Sequence, residues 1–343
     1  MSHDRILIKG NEAVAFGALD AGCRCYFGYP ITPQNEIPET MSLRLPECGG
    51  QFVQAESEVA AINMLLGAGA CGIPAMTSSS SCGISLMQEG ISYMAGSHIP
   101  AVIVNMERGG PGLGDIGPSQ GDYFQAVKGG GHGDHRNLVL APSTAQECYD
   151  MMFRAFALAF KYANPVMLLG DAIVAQIKEP VRRQPPADAL SPEALAELEG
   201  SVAVDVLENL DADVAAQIIA ETPVIPKAIA KANTGAKPRL LKSVYLAEGA
   251  LAARNRLLME KYAAMQAEAC AECWNTDDAE LVVVAFGSMA RIARSAIRKL
   301  REEGLKAGLF RPKTLYPFPA DALRALAPGR RFLVIEQNTG QMV

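Results

Sequence analysis

A proline-bracketed segment carries the first hydroxyl that is suited to chemistry. In Gly28-Tyr-Pro-Ile-Thr-Pro33, two prolines enclose Ile31 and Thr32 at the end of an apolar run. Because proline fixes its own φ and disfavours helix in the residue before it, the Thr32 hydroxyl is expected at the edge of a sheet. A threonine before Pro33 would equally suit the N-cap of a helix, so both interpretations stay open.

A pair of carboxylates follows the next predicted strand. Glu56 and Glu58 flank Ser57 where an apolar run meets a helical pattern. If Ser57 is the N-cap, Glu58 lies in the first turn, where the helix dipole favours an ionised carboxylate. An ordinary first-turn glutamate is the alternative. The small residues that follow, Gly67-Ala-Gly-Ala-Cys-Gly72, favour close packing over a solvent-facing surface.

The loop at 107–136 has ten glycines in thirty residues and no clear periodicity. Loops longer than about 12–15 residues are usually functional or disordered, and this one joins two predicted strands. Arg108 opens the loop and could bind a carboxylate or form a salt bridge at the rim. The GxGxxG spacing of 112–117 is not followed by a helix, so we reject dinucleotide binding. His132 and His135 lack the ligand spacing of a zinc site.

Short apolar runs that alternate with helical patterns predict an α/β fold with a parallel sheet between helices. The strand candidates are 26–31, 51–55, 74–78, 100–106, 137–141 and 165–170, and the helix candidates are 57–71, 82–96 and 144–162. A proline-rich boundary follows at 180–186. Beyond it, a second α/β unit is predicted from helices at 251–274 and 291–302 and strands at 281–286, from 310 onwards and at 331–336.

Composition and charge exclude several classes of protein. The 49% hydrophobic and 20% charged content is typical of globular chains. Nine acidic and no basic residues lie between 187 and 221, which leaves +3 for the rest and no basic stripe for nucleic acid. We expect this acidic block to be a solvated helical surface. No apolar run reaches the roughly 20 residues of a membrane span, and no signal peptide is recognisable, so a cytoplasmic location is expected.

The eight cysteines include one CxxC pair, Cys270 and Cys273, within the helix predicted at 251–274. Zinc and iron–sulfur sites normally need three or four ligands, so we expect neither a metal site nor an iron–sulfur cluster in this chain. A redox or metal-binding module on this pair is a distant alternative. Ser78 to Ser81 and Cys82 are nucleophile candidates only in principle, since no histidine is placed as their base.

Together these segments resemble the alpha subunits of 2-oxoacid:ferredoxin oxidoreductases, most closely the 2-oxoisovalerate (3-methyl-2-oxobutanoate) type. The segments that carry the resemblance are Gly28-Tyr-Pro-Ile-Thr-Pro33, Gln54-Ala-Glu-Ser-Glu-Val-Ala-Ala61, Thr77-Ser-Ser-Ser-Ser81, Arg108-Gly-Gly-Pro-Gly-Leu-Gly114, Lys128-Gly-Gly-Gly-His-Gly-Asp134, Arg311-Pro-Lys-Thr-Leu-Tyr-Pro317 and Glu336-Gln-Asn-Thr-Gly-Gln-Met342. They cover 1–180 and 240–343 well. The acidic insert is longer, and the end at Val343 comes sooner, than the resemblance leads us to expect.

The resemblance implies a thiamine-diphosphate-binding fold, with a pyrimidine-binding domain at 1–180. A connector with the acidic insert at 181–245 would follow, and then a transketolase C-terminal-like domain at 246–343, whose C-terminal end the resemblance implies to be incomplete. Glu58 is expected to hydrogen-bond the aminopyrimidine ring nitrogen, Thr32 to face the thiazolium and the 2-oxoacid, and Arg108 to contact the substrate carboxylate. The other expected cofactor-binding residues are Pro30, Ile31 and Ser80.

The resemblance also implies that the chain supplies half of a shared site. Diphosphate and Mg²⁺ are held in such enzymes by a Gly-Asp-Gly motif and a later Asn, oxygen ligands that suit Mg²⁺. The nearest match, Gly170-Asp-Ala172, has no such Asn. A beta subunit is therefore expected to hold the diphosphate and Mg²⁺. A gamma subunit would complete the complex, and a ferredoxin-like delta subunit would accept electrons.

The implied reaction converts a 2-oxoacid, CoA and oxidised ferredoxin into acyl-CoA, CO₂ and reduced ferredoxin. Leu113 and Ile116 in the glycine-rich loop favour an apolar, branched acyl group. A 2-oxoglutarate enzyme is the alternative within the family. A non-catalytic scaffold subunit is the alternative from another functional class.

Overall fold

The computed structural model describes residues 5–191, 194–195 and 243–343. Its strands are β1 (Ile6–Lys9), β2 (Cys25–Gly28), β3 (Gln51–Gln54), β4 (Ala75–Ser79), β5 (Ala101–Glu107), β6 (Leu138–Leu140), β7 (Pro165–Asp171), β8 (Lys178–Val181), β9 (Ala271–Trp274), β10 (Leu281–Val284), β11 (Ala307–Pro312), β12 (Thr314–Tyr316) and β13 (Arg331–Val334). Its α-helices are α1 (Gly10–Asp20), α2 (Glu36–Arg44), α3 (Glu58–Ala70), α4 (Ser81–Gly96), α5 (Tyr123–Lys128), α6 (Ala145–Tyr162), α7 (Ala172–Gln176), α8 (Ala250–Ala264), α9 (Gly287–Glu302) and α10 (Ala320–Leu326).

The main sheet has seven strands in the order β12-β6-β7-β5-β4-β2-β3. The six strands β2 to β7 run parallel, and β12 joins the β6 edge antiparallel. Alternate residues of β5 and β7 face two different apolar cores, as the period of two in a strand requires. Helices α1 and α6 cover one face, and α3 and α4 cover the other. The predicted α/β fold with a parallel sheet between helices is confirmed.

A second sheet has the order β13-β10-β11-β9, with β9 antiparallel to β11. Helix α9 packs on it through Ala290, Ala293 and Ile297, one face of the helix at the expected spacing. We call the described residues up to 195 the first half of the chain and residues 243–343 the second half. The two halves are joined by more than surface contact. Strand β12 comes from the second half yet pairs with β6 of the main sheet.

Ion pairs also cross between the halves. The Arg311 guanidinium binds both carboxylate oxygens of Glu147, at 2.8 and 2.6 Å, and the Nε of Arg311 donates to Glu272 at 2.8 Å. Burial works against ionisation of Glu147, but its hydrogen bonds with Arg311 and the charge of Arg311 lower its pKa to about 2. A further pair joins Arg291 of α9 to Glu179 of β8 at 2.5 Å.

Several predicted elements are wrong in their bounds or type. The helix predicted at 251–274 ends at Ala264. Of the CxxC pair, Cys273 lies within strand β9, which pairs with β11, and Cys270 immediately precedes that strand. Residues 271–274 form a strand because they pair with β11, about forty residues further along the chain. The local sequence alone does not indicate this pairing. The loop at 107–136 contains helix α5, and its first residue closes β5.

Two further expectations concern the second half and the connector. The strand predicted at 331–336 spans Arg331–Val334 and is largely exposed. Most of the acidic block at 187–221 lies outside the described residues. Among the described residues, no helix is long and apolar enough to cross a membrane.

Candidate functional site

The predicted site residues gather at the carboxyl edge of the main sheet. Strands β2, β3, β4 and β5 all end there, and the segments that follow them carry Thr32, Glu58, Ser80 and Arg108 respectively. Ligands of open parallel sheets bind outside this edge. The topology therefore places four segments from different parts of the sequence around one location.

Glu58 is a buried carboxylate at the start of a helix. The Ser57 hydroxyl caps α3 by accepting from the backbone N–H of Ala60 at 3.2 Å, as the sequence predicts. Glu58 is then the first residue of the helix and is only 6% exposed, whereas Glu56 on the other side of the cap is exposed. The two carboxylates thus have different environments, and only Glu58 faces the interior of the site.

The start of α4 packs closely against Glu58. A Cβ at position 83 would lie 2.6 Å from the Oε1 of Glu58 and 2.1 Å from the Oγ of Ser79, so any other residue there would force these two side chains to move. The hydroxyls of Ser79 and Ser80 are fully buried and have no hydrogen-bond partner within the described part of the chain. We call Glu58, Ser79, Ser80 and the side chains around them the recess. Its buried carboxylate and its hydroxyls, unpartnered among the described residues, offer an acceptor and donors to a ring that has both.

Thr32 lies in the turn between β2 and α2. Helix α2 begins only at Glu36, with Asn35 as its N-cap, so the alternative that Thr32 caps a helix is wrong. Thr32 is half-buried, and its hydroxyl accepts a 3.3 Å hydrogen bond from the Asn35 side chain. Of its neighbours, Ile31 is also half-buried and Pro30 is exposed.

Arg108 is a nearly buried cation that has only uncharged acceptors among the described residues. Its side chain donates to the backbone oxygens of Thr32 at 3.1 Å and Leu113 at 3.0 Å, and to the Sγ of Cys82 at 3.1 Å. The residue is 9% exposed, and its Nε has no partner in the described residues. The alternative of a salt bridge at the rim is therefore wrong for these residues, and the guanidinium can bind an anion.

Consecutive residues of α4 connect the two charged groups. Cys82 contacts Arg108, and Gly83 contacts Glu58. Thr32, Glu58 and Arg108 are thus brought around the same recess, with a hydroxyl, an anion and a cation on its walls. Leu113 and Ile116 lie on the adjacent loop and are 80% and 64% exposed in this chain.

A second buried carboxyl adjoins the site and was missed by sequence reasoning. Glu107 is fully buried at the end of β5, where burial and the neighbouring Asp122 raise its pKa well above the usual value. Its Oε2 accepts from the backbone N–H of Asp122 at 2.8 Å. The available signal was a pair of polar residues, Asn105 and Glu107, at the end of an otherwise apolar strand.

Asp171 is already occupied by hydrogen bonds within the chain. One carboxylate oxygen caps α7 through the N–H groups of Ile173 and Val174, at 3.0 and 3.1 Å, and the other accepts from Ser288 at 2.9 Å. This residue, the nearest match to a diphosphate and Mg²⁺ motif, therefore has a structural role. In the described ranges, no three His, Cys, Asp or Glu side chains are grouped so that they could hold a metal ion.

The chain matches two families along its length. Residues 16–226 match the thiamine-diphosphate-binding domain of pyruvate flavodoxin/ferredoxin oxidoreductase, and residues 279–343 match core domain II of pyruvate:ferredoxin oxidoreductase. The first match contains every residue assigned to the recess.

Individual relatives agree with these matches. Ketoisovalerate oxidoreductase subunit VorB of Methanothermobacter thermautotrophicus is 47% identical over 98% of this chain and 87% of its own length. The 2-oxoglutarate synthase subunit KorA of the same organism is 37% identical over 99% and 89%.

A solved structure is also similar. The 2-oxoglutarate:ferredoxin oxidoreductase of Magnetococcus marinus, with 2-oxoglutarate, coenzyme A and succinyl-CoA bound, superposes with a TM-score of 0.82 at 28% identity. The match covers 99% of this chain, which spans 59% of the matched chain.

Proposed function

This chain belongs to the 2-oxoacid:ferredoxin oxidoreductase family, and we propose that it is the catalytic alpha subunit of a thiamine-diphosphate-dependent enzyme. The proposed reaction is the CoA-acylating oxidative decarboxylation of a branched-chain 2-oxoacid such as 2-oxoisovalerate, with reduction of ferredoxin. The observation that carries this proposal is the recess, which places a buried carboxylate at the same end of the sheet as a guanidinium whose acceptors among the described residues are uncharged.

The recess has the donor set that the pyrimidine ring of thiamine diphosphate needs. The carboxylate of Glu58 would hold a proton at a ring nitrogen, and the unpartnered hydroxyl of Ser80 would serve as a further polar contact. When bound, the cofactor supplies the carbon nucleophile and the electron sink for decarboxylation.

The other two residues would act on the 2-oxoacid. Arg108 would bind its carboxylate, because it is a nearly buried cation whose acceptors among the described residues are uncharged. Thr32 would place a neutral hydroxyl beside the reacting carbonyl, where it can donate to developing negative charge. Pro30 and Ile31 would form the wall between them.

A partner subunit would supply the other half of the site. Asp171 is satisfied by α7 and Ser288, so the diphosphate and Mg²⁺ would be held by a beta subunit. Gamma and ferredoxin-like delta subunits would complete a complex in the cytoplasm. We propose no iron–sulfur cluster in this chain, and electrons would leave through the delta subunit.

Two lines of support favour a branched-chain substrate. The ketoisovalerate oxidoreductase subunit is more similar to this chain than the 2-oxoglutarate synthase subunits are, at 47% against 37% identity. The loop beside Arg108 also presents two apolar side chains, Leu113 and Ile116, rather than donors for a second carboxylate. The alternative, 2-oxoglutarate, is favoured by the similar solved structure.

The substrate is tested by assaying the complex, purified anaerobically with its native partners, for CoA-dependent viologen reduction. We expect the highest kcat/KM with 2-oxoisovalerate, above 2-oxoglutarate and pyruvate. Preference for 2-oxoglutarate would retain the enzyme class but overturn the interpretation of Leu113 and Ile116. Absence of reduction with every 2-oxoacid, in a complex that contains all its subunits, would favour a scaffold subunit.

The catalytic role is tested with a matched pair of variants. Glu58→Gln is expected to lower viologen reduction by orders of magnitude. Glu56→Gln changes an exposed carboxylate two residues away and is expected to leave the rate within about twofold. Equal activity of both variants would contradict a catalytic role for this chain.

A further inference from the structure

The loop at residues 109–119 is anchored mainly at its ends. Residues 110–116 are all exposed. In the described part of the chain, the loop hydrogen-bonds to itself, as from Asp115 N–H to the Gly109 oxygen at 2.9 Å, or to the residues that flank it. Its position relative to Arg108 must therefore be set where it leaves and re-enters the folded body.

Gln120 is the residue at which the loop re-enters. It is fully buried, and both halves of its side-chain amide bond to the second half of the chain. The Nε2 donates to the oxygen of Phe286 at 3.0 Å, and the Oε1 accepts from the N–H of Gln337 at 3.1 Å. Its backbone N–H donates to the Gln337 oxygen, and its backbone oxygen accepts from Asn338, both at 2.9 Å.

The surroundings of Gln120 are specific for an amide. One partner is a carbonyl and the other an N–H, so an amide satisfies both while a carboxylate would oppose the carbonyl. A Cβ at position 287 would lie 2.8 Å from the Nε2 of Gln120, and Gly287 has a φ of +54°. The turn at Gly287 therefore leaves the space that this amide occupies.

The contact continues just beyond the loop. The side chain of Gln341 accepts from the N–H of Phe124 and donates to the oxygen of Gly121, both at 2.8 Å. Three residues of the segment 337–341 thus hold the chain from 120 to 124. This segment belongs to the second half of the chain, which contributes none of the residues assigned to the recess.

We propose that Gln120 is a positioning residue, through which the second half of the chain holds the 109–119 loop against Arg108 for 2-oxoacid binding. This inference rests on the proposed function, because it assigns the loop to substrate binding. It also gives the second half of this chain a role in the reaction. Loss of the contact should loosen the loop and, through the Leu113 oxygen, the guanidinium of Arg108.

The first test is hydrogen–deuterium exchange of the complete complex without substrate. Gln120→Met is a replacement of similar size that removes the two side-chain hydrogen bonds and keeps the two of the backbone. In this variant, amides in 109–124 should exchange at least about tenfold faster than in the wild type. Arg291→Ala is the matched control, because it removes an ion pair between the two halves without touching the loop. Equal exchange in Gln120→Met and wild type would overturn the proposal, as would an equal increase in both variants.

The second test is steady-state kinetics of the same variants with 2-oxoisovalerate. Gln120→Met should raise KM about tenfold with kcat changed less than about threefold, since binding and not chemistry is affected. Arg291→Ala should leave both constants within twofold. A loss of kcat as large as the expected rise in KM, or an unchanged KM, would contradict a positioning role.

Gln341→Ala tests the same contact at a half-buried position, so the proposal stays testable if Gln120→Met, which changes a fully buried side chain, fails to fold. Gln341 is half-buried, and its loss should shift exchange and KM in the same direction by a smaller factor. Wild-type kcat/KM separates the two proposals. If the wild-type complex reduces viologen with no 2-oxoacid, the proposed function fails, while the exchange comparison still decides whether Gln120 holds the loop.

Discussion

Two nearly buried arginines of this chain have opposite environments. Arg311, with a side chain 5% exposed, donates to the carboxylates of Glu147 and Glu272 and joins the two halves of the molecule. Arg108 donates to two backbone oxygens and a thiol, with its Nε unpartnered among the described residues. Desolvating a charge is unfavourable, so compensation identifies a structural arginine and its absence identifies a binding one.

The largest effect is expected from Arg108→Met. It should lower kcat/KM for the 2-oxoacid about 10³-fold, the equivalent of about 4 kcal/mol, because a charged contact to the substrate carboxylate is lost. The free energy of unfolding should change little, since the acceptors that lose a partner in the described part of the chain are uncharged. Steady-state kinetics and urea denaturation of this variant measure the two quantities. A stability loss without a kinetic effect would reverse the assignment.

Arg311→Met should show the converse. Removing one partner leaves Glu147 and Glu272 without their main counter-charge, and the free energy of unfolding should fall by about 3 kcal/mol. Urea denaturation of the full chain, followed by the fluorescence of its single tryptophan, Trp274, reports this change. Because Trp274 lies in β9 beside the ion-pair network, its signal follows the second half directly. A loss below about 1 kcal/mol would show that the network is not structural.

The same network predicts how stability depends on pH. The pKa of Glu147 is lowered from 4.5 to about 2 in the folded chain, so its stabilisation is complete above about pH 4.5 and is lost as the pH falls towards 2. In Arg311→Met this part of the dependence should disappear. Denaturation midpoints of both chains between pH 3 and 7 test the difference, and parallel curves would contradict it.

The smallest effect is expected at Glu107. Burial and the charge of Asp122 raise the pKa of Glu107 well above the usual value. The folded chain therefore loses stability as the pH rises from the ordinary pKa of a glutamate towards this raised pKa. Glu107→Gln resembles the protonated acid and should change stability by less than about 1 kcal/mol near pH 5. At pH 8 the variant should be the more stable chain. A variant destabilised at both pH values would show that Glu107 acts as a carboxylate.

The sequence revealed the parts of the site that depend on local pattern. Ser57 as the cap of α3, Glu58 in its first turn and Arg108 at the end of β5 all follow from strand and helix boundaries. The environments of these residues did not follow. The approach of Gly83 to Glu58 depends on how two helices pack.

The contacts between the two halves could not be predicted either. Arg311 and Glu147 are 164 residues apart in sequence, and Gln120 is 217 residues from Gln337. Strand β9 depends on its pairing with β11, which is why its CxxC pair was placed in a helix. Periodicity reports one element at a time, whereas these contacts are set by how elements meet.

The most direct test of the account is the rate of deuterium exchange at the thiazolium carbon of thiamine diphosphate, measured by rapid quench in the complete complex. It needs no 2-oxoacid, so it isolates the role of Glu58 from the choice of substrate. We predict that Glu58→Gln slows this exchange by orders of magnitude, while Glu56→Gln leaves it within about twofold of the wild type. An unchanged rate in Glu58→Gln would contradict the claim that this chain supplies the catalytic carboxylate.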